Sequence, residues 1–206
     1  MLTKQNPTQP KKLSDKQVSK RSAIIDAAIE IFSLKGFHRT KISDIARQAN
    51  VADGTVYLYF CNKDDLLMQA FDEVMQKLLI RLREVRKYTA SPIEQLHRAI
   101  RIQIELLTEN PRLGRFLVIE MRQTPEFYEK YPEYQPLKEY LGLIESLCRS
   151  AIKKGEIRNV NISALLSIIY GSIDFVITRW LLMNEKCDLE HLYNEIVNIL
   201  RFGLQQ

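Results

Sequence analysis

The stretch from Thr40 to Lys63, TKISDIARQANVADGTVYLYFCNK, sets the terms for the whole chain. Ile42, Ile45, Ala46 and Ala49 recur at helical spacing. Asn50 follows where a sharp turn needs a residue that tolerates left-handed backbone. Thr40 is placed to cap the first helix, and Asp53 to cap a second that runs to about Tyr59 or Phe60. Ala46 is small where the two helices would cross, and Val51 and Val56 fill the space between them. Two short helices joined this tightly, with Asn62 opening a longer third, make the pattern of a helix-turn-helix, whose second helix lies in a DNA major groove. An ordinary helical hairpin in an all-α core carries the same Ile-Ala-x-x-Ala-x-Val spacing, so this pattern alone does not decide between the two.

The charge distribution adds to it. Residues 1–63 hold 11 Lys and Arg against 5 Asp and Glu, while the remaining residues hold 19 against 20. A basic first third on a near-neutral remainder suits a nucleic-acid head on a body with another task. The 1–15 segment is polar, with Pro7, Pro10 and several lysines, and reads as a disordered basic arm. The helix-turn-helix domain is expected over 16–63 and the body over 64–206.

The rest of the chain is helical in pattern. Apolar stripes run through Ile24–Phe32, Leu67–Leu82, Ile93–Leu107, Leu113–Met121, Leu137–Ile152, Ile162–Met183 and Leu189–Phe202, with Gly36, Pro92, Pro111, Pro132, Pro136 and Gly155 between or near them. About nine helices and no strand predict an all-α fold. The 22 residues from Ile162 to Met183 are the most apolar stretch, but Asp174, Arg179 and Trp180 interrupt runs too short to cross a bilayer. With residues 1–20 polar, the expectation is a cytoplasmic protein without a membrane span. Cys61, Cys148 and Cys187 lie far apart, in neither metal-ligand nor disulfide spacing. His38, His97 and His191 are scattered, and neither a phosphate-binding glycine loop nor a nucleophile elbow is present. No enzymatic reading is supported, and no cofactor or metal is expected.

Gly54-Thr55-Val56-Tyr57-Leu58-Tyr59-Phe60-x-x-Lys63 resembles the signature of the TetR family of transcriptional repressors. The likeness extends back through Ala27-Ala28, Phe32, Gly36-Phe37, Thr40 and Ile45-Ala46. Asn50 stands where that family usually has glycine, and asparagine can adopt the same backbone. The resemblance implies a homodimer that reads a palindromic double-stranded operator. Thr40, Lys41, Asp53, Gly54, Thr55, Tyr57, Leu58, Tyr59 and Lys63 are then the expected DNA-binding residues. The small first turn of the recognition helix approaches a phosphate or base edge, the two tyrosines offer hydroxyls, and Leu58 meets a thymine methyl. Packing inside the head is the alternative for Tyr59.

In such proteins the body dimerises through its last two helices and holds a small molecule between the middle ones. Ile169, Ile173, Val176 and Trp180, with Leu192 and Ile196, are the expected dimer interface. Ile119-Glu120-Met121-Arg122-Gln123-Thr124 and Gly171-Ser172-Ile173-Asp174 with Trp180 resemble a TetR subgroup that controls fatty-acid degradation and releases DNA on binding long-chain acyl-CoA. An acyl-CoA sensor needs an apolar tunnel with cations at its mouth. Phe116, Met121, Ile144, Leu147 and Tyr170 are the candidate lining, and Arg122, with Arg115 and Arg86, the candidate cations. The alternative is a multidrug or efflux-type regulator, for which several aromatics and a buried carboxylate in the pocket would speak. The mechanical expectation is that a ligand in the body moves the long helix after Lys63 and so changes the separation of the two recognition helices.

Overall fold

The structure, a computed structural model, describes residues 14–87, 90–120, 135–183 and 188–204. Among them are nine α-helices and no strand: α1 (Asp15–Lys35), α2 (Ile42–Gln48), α3 (Asp53–Tyr57), α4 (Lys63–Arg83), α5 (Pro92–Glu109), α6 (Pro111–Arg115), α7 (Gln135–Lys153), α8 (Ile162–Leu182) and α9 (Leu189–Leu204). The expected all-α architecture stands. Of the expected 1–15 arm, residues 1–13 lie outside the described residues, and Ser14 and Asp15 belong to the start of α1.

Local sequence explains where most helices begin and end. Ser14 opens α1, and the Gln17 side chain accepts from the Ser14 amide at 2.9 Å. Gly36 closes it at φ 81°, with its amide donating to the Phe32 carbonyl. Asn62, Asn110 and Asn161 cap α4, α6 and α8, each accepting from the amide three residues on. Pro92 and Pro111 occupy first turns, where a missing N–H costs nothing. Pro136 does the same in α7, so it belongs to that helix instead of interrupting it. The helix after Lys63 carries its whole stripe to Leu82, ends at Arg83 and tightens into a 3-10 turn over Glu84–Lys87.

Two cap assignments are corrected. Ala52, not Asp53, is the N-cap of α3, and Asp53 is its first helical residue. Lys41, not Thr40, is the N-cap of α2; the Asp44 carboxylate accepts from the Lys41 amide at 3.3 Å. Thr40 faces inward instead and donates its hydroxyl to the Gly36 carbonyl at 2.8 Å. Asn50 takes the left-handed backbone expected of it, at φ 53°.

One continuous apolar core joins the head to the body. Helices α1 to α3 wrap Ile24, Ala28, Phe32, Ile45, Val56 and Phe60. α4 runs on from this cluster with Leu67, Phe71, Val74 and Leu78 buried, so head and body share its stripe. Helix α6 also reaches the head. Phe116, fully buried, stacks on Phe32 of α1 with ring centroids 6.3 Å apart. Arg112 pairs with Glu30 of α1, whose other carboxylate oxygen accepts from Gln48 of α2 at 2.6 Å. The chain from Phe116 to Glu120 then loosens into a π-helical turn, a form that often marks functional sites.

Candidate DNA interface and ligand cavity

The recognition helix is held from beneath. Val56 and Phe60 are buried in the head core, and the Val51 amide donates to the Ala46 carbonyl across the turn. What α3 turns outward is Asp53, Gly54, Tyr57 and Leu58, the last 81% exposed. A side chain grown on Gly54 would meet nothing of the protein within 4 Å. Its smallness therefore serves no internal packing and leaves the backbone open to an outside partner. Thr55 is half-buried, and Lys41 is exposed at the start of α2.

Three of the expected DNA contacts are engaged inside the head. Thr40 is 2% exposed with its hydroxyl used internally, which removes it as a side-chain contact. Lys63 points back: its ammonium donates to the carbonyls of Phe37 and Thr40 at 2.9 and 3.1 Å and lies 4.4 Å from the Phe37 ring centroid. It pins the α1–α2 connection to the start of α4. Tyr59 is half-buried against the core. A cation that sequence reasoning passed over, Arg47, lines an open cleft with Ser43, Asn50 and Asp53 beside the recognition helix. Its place on α2, one turn after Asp44, was the available signal.

In the body, α4, α5, α7, α8 and the π-turn line a half-open cavity of about 410 Å³. Phe71, Met75 and Leu78 form one wall, Leu117 and Val118 another, and Ile177 a third. The polar groups sit together. Tyr140 donates its hydroxyl to Gln103 at 2.5 Å, and Gln103 donates to the Ala99 carbonyl at 3.1 Å. The Tyr140 ring lies 5.7 Å from that of Tyr170. Burial holds both phenols neutral well above their usual range. Asp174 is the one charged residue in the lining among the described residues.

Of the expected lining, Tyr170 is in place. Phe116 is not: it faces Phe32 and belongs to the joint with the head. Ile144 and Leu147 are closed into the core at 0% and 2% exposure and do not reach the cavity wall. Met121 and Arg122 lie outside the described residues, as does the side chain of Arg86; Arg115 is exposed at the end of α6.

The expected dimer face is out of phase. Ile169, Val176 and Trp180 are 2–6% exposed within a single chain, where they pack into its own core. Ile173 faces the cavity. The apolar residues that α8 turns to solvent are Ile168, Phe175 and Leu182, seven residues apart, and Ile199 on α9 is exposed with them. Leu192 and Ile196 are half-buried on α9. Although α8 is long and apolar enough to cross a membrane by composition, one face of it is built into this bundle, and Asp174 and Arg179 interrupt it.

A head with an exposed, small-turned recognition helix on a helical body with an internal cavity defines a ligand-responsive helix-turn-helix regulator. The chain belongs to the TetR family. Residues 24–70 match the model of bacterial regulatory proteins of the tetR family, and residues 71–203 match that of the YsiA-like protein C-terminal region. It is similar to the fatty acid metabolism regulator protein of Bacillus subtilis (strain 168), with 36% identity over 183 residues that cover 88% of this chain and 93% of the relative. Its fold is similar to that of the transcriptional regulator FadR from Bacillus subtilis in complex with stearoyl-CoA (TM-score 0.82, 35% identity, 89% of this chain and 99% of the other). It is also similar to the fatty acid degradation regulator FadR from Bacillus halodurans (TM-score 0.81, 30% identity, 92% and 96%). Proteins of this family are DNA-binding regulators, not enzymes.

Proposed function

We propose that this protein is a cytoplasmic, homodimeric repressor that leaves a palindromic operator when long-chain acyl-CoA enters the body. The observation that carries the reading is the largely apolar cavity of about 410 Å³, in a chain 35% identical to a protein whose structure holds stearoyl-CoA. An acyl chain gains free energy on entering such a space roughly in proportion to the apolar area removed from water. Lys41, Asp53, Gly54, Thr55, Tyr57 and Leu58, with Arg47, form the DNA-facing surface. The exposed stripe Ile168, Phe175 and Leu182, with Ile199, supports dimerisation through α8 and α9.

The route from cavity to head is short. Leu117 and Val118 line the cavity, and the residue before them, Phe116, is stacked on α1. Phe71, Met75 and Leu78 are cavity wall on α4, whose first residue, Lys63, holds the α1–α2 connection. A ligand that binds the non-operator arrangement more tightly shifts the population toward it. About 1.4 kcal/mol of such preference lowers operator affinity tenfold.

The three rings of the cavity favour a second reading, an efflux-type regulator with an aromatic drug-like ligand. Phe71, Tyr140 and Tyr170 bring three rings to the cavity, and Asp174 brings a carboxylate. Asp174 also lies in the segment that resembles the fatty-acid subgroup, so its presence alone favours neither. Native mass spectrometry of the purified protein separates the two. A dimer carrying fatty acid or acyl-CoA is the expected result. Retention of an aromatic cation that Asp174→Asn abolishes would replace the acyl reading.

A further inference from the structure

Two apolar spaces meet at one side chain. Beside the body cavity lies a second, apolar space of about 20 Å³, walled by Ile100 and Ile104 of α5, Val176 of α8 and Tyr193, Ile196 and Val197 of α9. It has room for about one water and no polar group to hold it, so a space of this kind stays dry. Among the described residues Ile173 alone lines both spaces. Helix geometry explains why. At about 100° per residue, α8 turns Ile169 and Val176 to one side and Tyr170, Asp174 and Ile177 to the other, and Ile173 falls on the border.

We propose that Ile173 is the chain-length gate of the effector site. This rests on the acyl reading above. An acyl chain places its methyl end in the most enclosed apolar part of a cavity and leaves its polar head at the mouth. Past Ile173 lies the further apolar space that a longer tail needs. A β-branched side chain on a helix is stiff, held almost wholly in one χ1 rotamer, so it acts as a fixed stop. A flexible Leu or Met would fold aside. The partition is a side chain and not backbone, so truncating it joins the two spaces without rerouting the helix. A tail that passed the gate would press on Tyr193 and Ile196, and so on α9.

The test uses the full-length protein on labelled operator DNA, released by lauroyl-, palmitoyl-, stearoyl- or arachidoyl-CoA. The wild type should show an optimum. Ile173→Ala should move that optimum to a longer chain, with roughly fourfold tighter response for each methylene newly accommodated. Ile173→Phe should move it to a shorter chain, and Ile173→Val should move it less than Ile173→Ala. Thermal melts identify any variant that does not fold, and the others then decide. If the wild type responds and every folded variant keeps its order of preference, the gate is wrong and the acyl reading stands. If no acyl-CoA releases the wild type, the acyl reading fails and takes the gate with it.

Discussion

Gly54 and Lys63 stand nine residues apart in the same motif and do opposite things. Gly54 is exposed, and its missing side chain is not needed by the protein itself. Gly54→Leu should therefore leave thermal stability unchanged or raise it by up to about 1 kcal/mol, since glycine is a poor helix former. Operator affinity should fall at least tenfold in a gel-shift titration. Lys63, by contrast, spends its charge on two backbone carbonyls of the head. Lys63→Met should cost about 1–3 kcal/mol in urea unfolding, the usual range for a charged hydrogen bond lost at a partly buried site. A variant that lost DNA binding with unchanged stability would return Lys63 to the interface. Cys148 shows the same inward turn. Burial pushes its thiol from an ordinary 9.0 up to about 11, and burial likewise raises Tyr140, Tyr170 and Tyr193. Groups that ionise less readily in the folded state contribute stability that is intact below pH 9 and declines as pH rises toward 11. Unfolding midpoints should fall over that window, and Cys148→Ala should flatten its first part; an unchanged slope would count against the burial of this thiol. At this scale, backbone demands were legible in the sequence, as at Asn50 and Gly36, because they are local. The direction of Lys63 was not, because it is set by the carbonyls of Phe37 and Thr40, 26 and 23 positions away and supplied by the fold.

Among the elements, α6 and its π-turn carry the connection between cavity and head. Phe116 is sealed between α1 and the body, so Phe116→Ala should destabilise by about 3–5 kcal/mol, as truncation of a buried Phe does. The ion pair of Arg112 with Glu30 is a different kind of link. Both side chains retain solvent contact, and such pairs add little to stability, about 1 kcal/mol or less. Their value lies in geometry, since Glu30 also holds Gln48 on α2. Glu30→Gln should thus leave the melting temperature nearly unchanged and reduce the ratio of operator affinities without and with ligand. An unchanged ratio would assign the coupling to α4 alone. Periodicity exposed the helices and their order. It did not give the phase of α8, because Ile168 and Ile169 are the same residue type and only packing decides which faces inward. Nor could it pair Phe116 with Phe32, eighty-four positions away.

For the whole molecule, dimerisation is the condition for reading two half-sites about 34 Å apart. The stripe Ile168, Phe175 and Leu182 offers the apolar surface for it. Phe175→Glu should yield monomers in sedimentation velocity while leaving the far-UV helical signal intact, and operator binding should be lost with the dimer. A dimer that survives would move the interface elsewhere. The division of charge between head and body, visible in composition, belongs to this scale too: operator affinity should fall steeply with salt. What the chain answers to is the central claim, and the most direct measurement is fluorescence anisotropy of operator DNA bound to the wild-type dimer, titrated with stearoyl-CoA, stearate and CoA separately. Release by stearoyl-CoA at concentrations where CoA alone has no effect is the predicted result. Undiminished binding in saturating stearoyl-CoA would contradict the account.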